Sequence, residues 1–244
     1  MPLDVGGWEL AGCLAIVVVG AVVQGSIGFG INLMVAPVMA VLAPGSVPGS
    51  MVLLSLPLTI TMLLREHHAI DWFGVRWILT GRVPGTLLGL LVVALVSDAL
   101  LATVVGVVIV AGVVLSLVHP GVGVNRHSAL TSGFAAGAMG TAAAVDGPPM
   151  ALLYQHHEGH TIRATLAVCF VAGAAMSGIA LGIAGDLTLE QLALSLVLLP
   201  GLLVGLAISH FMGPRLHPKV LRPAVLVFAA AAGTVAIVNG LSSL

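Results

Sequence analysis

The sequence predicts an all-α polytopic membrane protein made of two inverted repeats, each with one re-entrant hairpin of broken helix and three transmembrane helices. Three observations predict this fold: the apolar composition, the sidedness of the charges and a repeated pattern of Gly and Pro. Of 244 residues, 59% are hydrophobic and 7% charged, whereas a soluble domain carries about 25% charged residues. Apolar stretches of about 20 residues, enough to cross a hydrocarbon core of about 30 Å, recur along the chain.

Polar segments separate six apolar stretches that we predict to be spans: residues 50–64, 77–96, 99–118, 164–184, 189–210 and 220–238. The first is short for a full crossing, and it could begin near Ser46 or Pro48. Cys13 and Cys169 each lie in an apolar segment without a metal-binding spacing, which is typical of small hydrophobic residues in packed helices.

Two further apolar segments, residues 8–43 and 128–155, are interrupted by Gly and Pro. The first has glycines at 25, 28 and 30, and the second has an Asp-Gly-Pro-Pro run at 146–149. Clustered Gly and Pro stop a helix. We therefore predict helix, break and half-helix in each, with the half-helices beginning near the membrane centre at about Ile31 and Pro149.

The positive-inside rule predicts how these two segments lie. If both turn back at mid-depth, every basic residue lies on the cytoplasmic face and both chain termini lie outside. Counting each segment as a full crossing would instead place Asp4 and Glu9 in the cytoplasm. The basic residues are Arg65, Arg76, Arg82, Arg126, Arg163, Arg215, Lys219 and Arg222, and the acidic residues on the outer face are Asp4, Glu9, Asp98, Asp186 and Glu190.

The two halves of the chain, residues 1–120 and 121–244, resemble each other. A shift of 112 places glycines 25 and 28 and Pro37 on glycines 137 and 140 and Pro149, and a shift of 116 places residues 84–90 on 200–206 with five identities in seven. A repeat with an odd number of crossings inserts its copy upside down, as in many secondary transporters. The alternative is chance similarity between Gly-rich apolar stretches.

The two breaks predict an anion site. A helix N-terminus exposes unpaired N–H groups and carries about half a positive charge, so two such ends meeting at mid-depth would bind an anion through backbone. The amide and hydroxyl side chains nearby either donate to the anion or satisfy the broken backbone. The candidates are Gln24, Gly25, Ser26, Gly28, Gly30, Asn32, Gly140, Thr141 and Gly147.

Asp146 and Arg82 are coupling or gating candidates. A carboxylate at mid-depth is costly and marks a functional site such as a proton carrier. The alternative for Asp146 is an N-cap of the second half-helix. Arg82 either extends to the cytoplasmic face or faces the pathway and attracts the anion.

Other chemistry has little support in the sequence. His156, His157 and His160 lack a fixed ligand set, so neither a metal site nor a cofactor is predicted. The chain contains no nucleophile elbow, P-loop or HExxH motif, and an enzyme is not predicted. The predicted partners are a small anion, the lipid bilayer and a coupling proton or cation, without nucleic acid.

The residues of the breaks also resemble a known family. Residues 24–30, followed by Asn32 and Pro37, and the run 140–154 with its Gly-Pro-Pro are similar to the sulfite exporter TauE/SafE family of membrane permeases. The resemblance implies an inner-membrane permease for small, typically sulfur-containing anions such as sulfite or sulfoacetate. It also supports roles near Phe29, Pro148 and Pro149.

The function that combines these observations is a secondary transporter of small anions. A passive anion channel on the same scaffold, an intramembrane enzyme built around Asp146 and a histidine, and a non-transporting scaffold subunit are the alternatives.

Overall fold

The computed structural model describes residues 6–43, 45–96, 98–117, 123–212 and 218–242, and all regular structure in these ranges is helical. For residues 98, 99, 218 and 219 only the backbone is described. A short 3-10 helix, His67–Ala69, follows the third of the α-helices. The α-helices are α1 Gly7–Ile27, α2 Ile31–Leu42, α3 Gly49–Arg65, α4 Trp72–Leu95, α5 Asp98–Leu117, α6 Arg126–Ala143, α7 Gly147–Tyr154, α8 Gly159–Ala184, α9 Leu189–Met212 and α10 Pro218–Ser242.

Six of the described helices (α1, α4, α5, α8, α9 and α10) are long and apolar enough to cross a membrane. Helix α3, at 17 residues, is shorter, as its sequence predicted. The prediction of an all-α polytopic membrane protein is therefore confirmed.

Local capping explains where the predicted boundaries were wrong. We predicted a span from residue 77, but α4 begins at Trp72, because the Asp71 carboxylate accepts a hydrogen bond from Gly74 N at 3.1 Å and caps the helix. Asn125 caps α6 in the same way, accepting from the amides of His127 and Ser128 at 2.9 and 3.0 Å. A carboxylate or amide at this position satisfies amides that have no partner within the helix.

Each broken segment folds as a hairpin of two antiparallel helices. Helix α2 returns beside α1, so that a Cβ atom at Gly12 would lie 3.1 Å from the end of α2 at Leu42. The far end of α7 lies at the start of α4, where the Tyr154 hydroxyl donates to Asp71 at 2.7 Å. The first hairpin ends at Gly45, whose carbonyl accepts from Gln191 at 2.8 Å.

The two hairpins open toward opposite ends of α8. Asp71, beside the end of the second hairpin, donates its amide to Thr165 near the start of α8 at 3.0 Å. Gln191, beside the end of the first hairpin, lies just beyond the end of α8 at Ala184. The two hairpins thus enter the bundle from opposite directions.

Helix packing follows a pattern that exchanges the two halves of the chain. Helix α1 packs on α9 and α6 on α4, α2 on α10 and α7 on α5, α3 on α9 and α8 on α4. Two further pairs, α3 with α8 and α5 with α10, join equivalent helices. Replacing α1–α5 by α6–α10 converts each of these contacts into a contact of the same set, whereas among the described residues the contacts of α2 with α5 and of α6 with α8 have no counterpart of similar extent.

The helix ends give the offset between the halves. Helices α1 and α6 end at Ile27 and Ala143, and α2 and α7 begin at Ile31 and Gly147, an offset of 116 in both cases. In each hairpin the residue that follows the first helix adopts the left-handed conformation. These residues, Gly28 and Ala144, have the same separation. This agrees with the offset of Pro84 and Pro200. The offset of 112 used for the hairpins in the sequence comparison is therefore one helical turn too short.

Glycines allow the closest helix contacts. A Cβ atom at Gly85 of α4 would overlap the Phe134 carbonyl of α6, and one at Gly205 of α9 would lie 2.5 Å from the Val18 carbonyl of α1. Small residues let backbones approach in this way where lipid offers no hydrophobic driving force between helices. The α4–α6 and α1–α9 pairs are consequently close-packed units.

Candidate functional site

The turns of the two hairpins meet inside the bundle. Phe29, at the first turn, packs against Gly147, where an added Cβ would lie 3.3 Å from the ring. Asn32 Nδ2 donates to the Ala144 carbonyl of the second turn at 2.7 Å. The starts of α2 and α7 therefore lie beside each other.

A small cavity of about 30 Å³, called the central cavity below, lies at this junction. Its volume corresponds to roughly two water molecules. Both hairpins line it, together with α3, α4 and α8. The lining residues are Gln24, Gly30, Asn32, Leu33, Val52, Ser55, Thr59, Arg82, Gly140, Ala144, Val145, Asp146, Gly147, Pro148, Phe170, Ala174 and Ser177.

Arg82 is the principal cation of this cavity. Its side chain is 1% exposed, and Nη2 lies 2.8 Å from Asp146 Oδ2. Its other two nitrogens, Nε and Nη1, are buried and have no hydrogen-bond partner among the residues that the structure describes. The interpretation that Arg82 extends to the cytoplasmic face is wrong, and so is its assignment to the group of basic residues on that face. The alternative, that Arg82 faces the pathway, fits its position.

Glycines on two other helices make the space for this guanidinium. A Cβ at Gly173 of α8 would overlap Arg82 Cζ, Nη1 and Nη2, and one at Gly140 of α6 would lie 2.9 Å from Arg82 Nη2. Because these two glycines have no side chains, the Arg82 guanidinium fits inside the bundle. Gly173 was not among the predicted site residues.

Asp146 occupies the N-cap position of α7, yet its carboxylate makes no capping hydrogen bond. The alternative that Asp146 caps the half-helix is therefore wrong. The side chain pairs with Arg82 and retains 16% exposure at the cavity wall. Asp146 is thus in contact with the interior of the cavity, and the ion pair offsets part of the cost of burying both charges.

Helix α2 contributes most of the backbone donors. Gln24 accepts from Ile31 N at 3.2 Å, and the first bond of the α2 ladder runs from Met34 N to Gly30 O at 3.3 Å. The amides of Asn32 and Leu33 precede that bond, and both residues line the cavity. Helix α7 offers fewer donors because Pro148 and Pro149 have no N–H. The start of α2 therefore offers more backbone N–H donors than the start of α7.

Several predicted site residues lie outside the central cavity. Gly28 forms the first turn with φ of 96°, and its neighbour Phe29 contacts Gly147 as described above. Thr141 exchanges a hydrogen bond with Ser177 at 2.9 Å. Pro149 lines a separate hollow beside α5 and α6.

Predicted residues Gly25 and Ser26 line a second, larger cavity of about 560 Å³, called the vestibule below. Arg163 and Glu66 pair there at 2.5 Å, and a Cβ at Gly28 would lie 2.9 Å from Arg163 Cγ. The Arg163 side chain thus covers the side of the first hairpin turn that faces the vestibule. The complete lining is Gly25, Ser26, Met62, Arg65, Glu66, Arg163, Ser209 and His210.

Sequence reasoning missed the hydroxyl groups of α3 and α8 that line the central cavity. Ser55 and Thr59 donate to carbonyls of their own helix at 2.8 and 2.9 Å, so their sequence gives no sign of a ligand role. A signal existed only in their spacing, because Ser55 and Thr59 are one helical turn apart on one face.

The histidines before and within the first turn of α8 form no cluster with metal-binding geometry. Within the described ranges no group of three His, Cys, Asp or Glu side chains lies close enough to hold a metal ion. His160 instead lies 3.2 Å from Glu158, with both side chains largely exposed.

Comparison with protein families matches residues 13–236 to the model described as Sulfite exporter TauE/SafE. The match covers nearly the whole chain and confirms the resemblance noted in the hairpin residues. Comparisons with curated proteins and with solved structures gave no match.

Proposed function

This chain belongs to the sulfite exporter TauE/SafE family of membrane transporters, and we propose that it carries a small sulfur oxyanion bound to Arg82 in the central cavity. Family membership assigns the chain to multi-pass membrane transporters of sulfur-containing anions rather than to enzymes. The identity of the anion, its binding residues and the route are the proposal developed below.

The observation that carries the proposal is the unfilled hydrogen-bonding capacity of a buried guanidinium. Arg82 Nε and Nη1 have no partner within the described part of the chain, although the side chain is 1% exposed. A buried donor without a partner costs about 1–3 kcal/mol, and more when charged. An oxyanion in the cavity would accept from Nε or from Nη1, in each case beside Nη2, because the parallel N–H donors of a guanidinium are the pairs Nε–Nη2 and Nη1–Nη2.

The first hairpin supplies the remaining donors. Asn32 and Leu33, whose amides precede the first hydrogen bond of α2, line the same cavity as Arg82, and the positive end of a helix dipole favours an anion there. Asn32 Nδ2 is already engaged by Ala144, so its contribution is to fix the two turns against each other. The anion is therefore held between α4 on one side and α2 on the other.

The cavity size favours a compact substrate. A cavity of about 30 Å³ holds about two water molecules and is smaller than sulfite with its four heavy atoms, so it must widen when an anion binds, and least for the most compact anions. Sulfoacetate carries a carboxylate in addition to its sulfonate and would need the surrounding helices to move further apart. We therefore propose sulfite or a similarly compact oxyanion as the preferred substrate.

The proposed transport cycle uses two inverted repeats, α1–α5 and α6–α10. The exchange symmetry of the helix contacts and the opposed hairpins support this division. In the arrangement described, the vestibule gives access from the end of the bundle that carries Arg65 and Arg163, which the positive-inside rule assigns to the cytoplasm. The protein would then reside in the inner membrane with both termini outside. The first hairpin turn and the Arg163–Glu66 pair separate the vestibule from the central cavity.

The test is uptake of labelled sulfite, thiosulfate, sulfate and sulfoacetate into proteoliposomes. We expect saturable uptake with counterflow, strongest for the compact anions, and loss of both in Arg82→Gln. Arg76→Gln is the matched control because Arg76 lies on the first turns of the same helix and is exposed. Currents that do not saturate would indicate a channel, and unchanged uptake in Arg82→Gln would refute the proposed site.

A further inference from the structure

Arg82 already has a partner on one side of its guanidinium. Asp146 Oδ2 lies 2.8 Å from Nη2, while the unpartnered nitrogens of the same group are those assigned above to the anion. An anion bound there would share one guanidinium with a carboxylate inside a poorly hydrated cavity. Two negative charges in contact with the same guanidinium repel each other strongly, because the dielectric constant inside such a cavity is low.

We propose that Asp146 is a proton-binding site, and that the protein carries one proton together with each anion. This inference rests on the proposed function. A proton on Asp146 removes the repulsion between carboxylate and anion and leaves Arg82 to the anion. Proton binding and anion binding then strengthen each other, and the coupling is reciprocal.

The step balances without any other reactant. On one side of the membrane a proton leaves water and forms an O–H bond with the Asp146 carboxylate as the anion enters. On the other side that O–H bond breaks, the proton returns to water with the departing anion, and the carboxylate resumes its pairing with Arg82. The empty protein crosses back with a neutral ion pair, which avoids moving an unpaired charge through the low-dielectric interior.

The surroundings of Asp146 limit the proton site to this one carboxylate. Arg82 approaches from α4, and the buried thiol of Cys169 on α8 lies within electrostatic range. Among the described residues, α2, α3, α5 and α6 place no titratable side chain on the cavity wall. At the offset of 116, Asp146 corresponds to Gly30 and Arg82 to Leu198. The other half therefore lacks a second pair, which predicts a single proton per cycle.

The experiment compares wild type with Asp146→Asn in proteoliposomes at clamped membrane potential. The probe is whichever of methanesulfonate, thiosulfate and sulfate wild type transports fastest, because none of the three titrates near neutral pH. For a singly charged probe, an inward gradient of about two pH units should drive accumulation toward about 100-fold in wild type, at one proton per anion. Asp146→Asn should lose this stimulation. Glu158→Gln, which removes an exposed carboxylate beside His160, should keep it.

Binding to purified protein gives a second readout that does not depend on turnover. We expect wild type to bind the probe about tenfold more tightly for each unit of falling pH over the range in which Asp146 takes up its proton. Asp146→Asn should bind with the affinity of wild type at low pH and show no pH dependence. Retention of gradient stimulation or of pH-dependent affinity in Asp146→Asn would overturn the proposal. If wild type neither binds nor transports sulfite or any of the three probes, the proposed function itself fails.

Discussion

Gly173→Ala tests the position of the Arg82 guanidinium without changing any charged or hydrogen-bonding group. The added Cβ would overlap Arg82 Cζ and both terminal nitrogens, so the guanidinium must move away from α8. The side chain of Arg82 is flexible, and we expect it to shift rather than to unfold the bundle. Its displacement turns Nε and Nη1 away from the bound anion.

The expected magnitude follows from the hydrogen bonds at stake. A hydrogen bond to a charged group contributes about 1.5–3 kcal/mol. Losing one such bond to the oxyanion, about 2 kcal/mol, corresponds to about a 30-fold weaker affinity. The loss of two such bonds, about 4 kcal/mol, corresponds to about a 1000-fold weaker affinity.

The control lies on the same helix. A Cβ at Gly178, five residues on, would meet its nearest atom, Val52 Cγ1, at an ordinary 3.7 Å. Gly178→Ala should therefore bind and transport as wild type does. The assays are anion binding to purified protein by calorimetry and saturable uptake into proteoliposomes, after membrane abundance has been matched. Wild-type affinity in Gly173→Ala would refute the placement of the anion at Arg82.

Three further predictions test other parts of the site. Asn32→Asp replaces the donor to Ala144 O by an acceptor and places a carboxylate beside the anion. We therefore expect uptake to fall at least tenfold, whereas Asn32→Gln should retain part of the uptake. Equal uptake in both variants would contradict the role of this contact. Ser26→Cys, in the vestibule, should react with a membrane-impermeant thiol reagent from the cytoplasmic side only. The native Cys13 and Cys169 are buried and serve as the unreactive background. Labelling from outside would reverse the proposed orientation. Tyr154→Phe removes the hydrogen bond to Asp71 that holds the second hairpin to α4. It should lower the free energy of unfolding by about 1–2 kcal/mol in a denaturant titration. Thr131→Val, on the exposed face of α6, should leave this free energy unchanged.

The spans were predictable because hydropathy and charge are local properties. The predicted segment 99–118 differs from α5 by one residue at each end, and the Gly-rich run at 25–30 contains the break between α1 and α2. The start of α4 was less predictable. Its first turns mix Trp72 and Phe73 with Arg76, so hydropathy marks no sharp boundary there, and the start of the helix is fixed by the Asp71 cap.

The position of Arg82 could not be predicted from its own segment. A residue six positions into an apolar stretch can reach the lipid headgroups by extending along the helix, or it can turn inward. The choice depends on Gly140 and Gly173, which lie on other helices and far along the chain. Burial of a cation requires space and a counter-charge together, and only the assembled fold reveals both. The missing N–H groups of Pro148 and Pro149, by contrast, were readable from the sequence.

The division of the site between helices explains how anion binding could drive a conformational change. Arg82 and Asp146 belong to α4 and to the α6–α7 hairpin, whose first helix packs on α4 through Gly85. The donors of α2 belong to the α1–α2 hairpin, whose first helix packs on α9 through Gly205. A bound anion therefore joins two close-packed units that otherwise meet at the hairpin turns. A ligand shifts a conformational equilibrium only by its difference in affinity between the states. An anion that contacts both units binds best when they are close around it, so it favours the closed, occluded arrangement over states in which either unit has moved away.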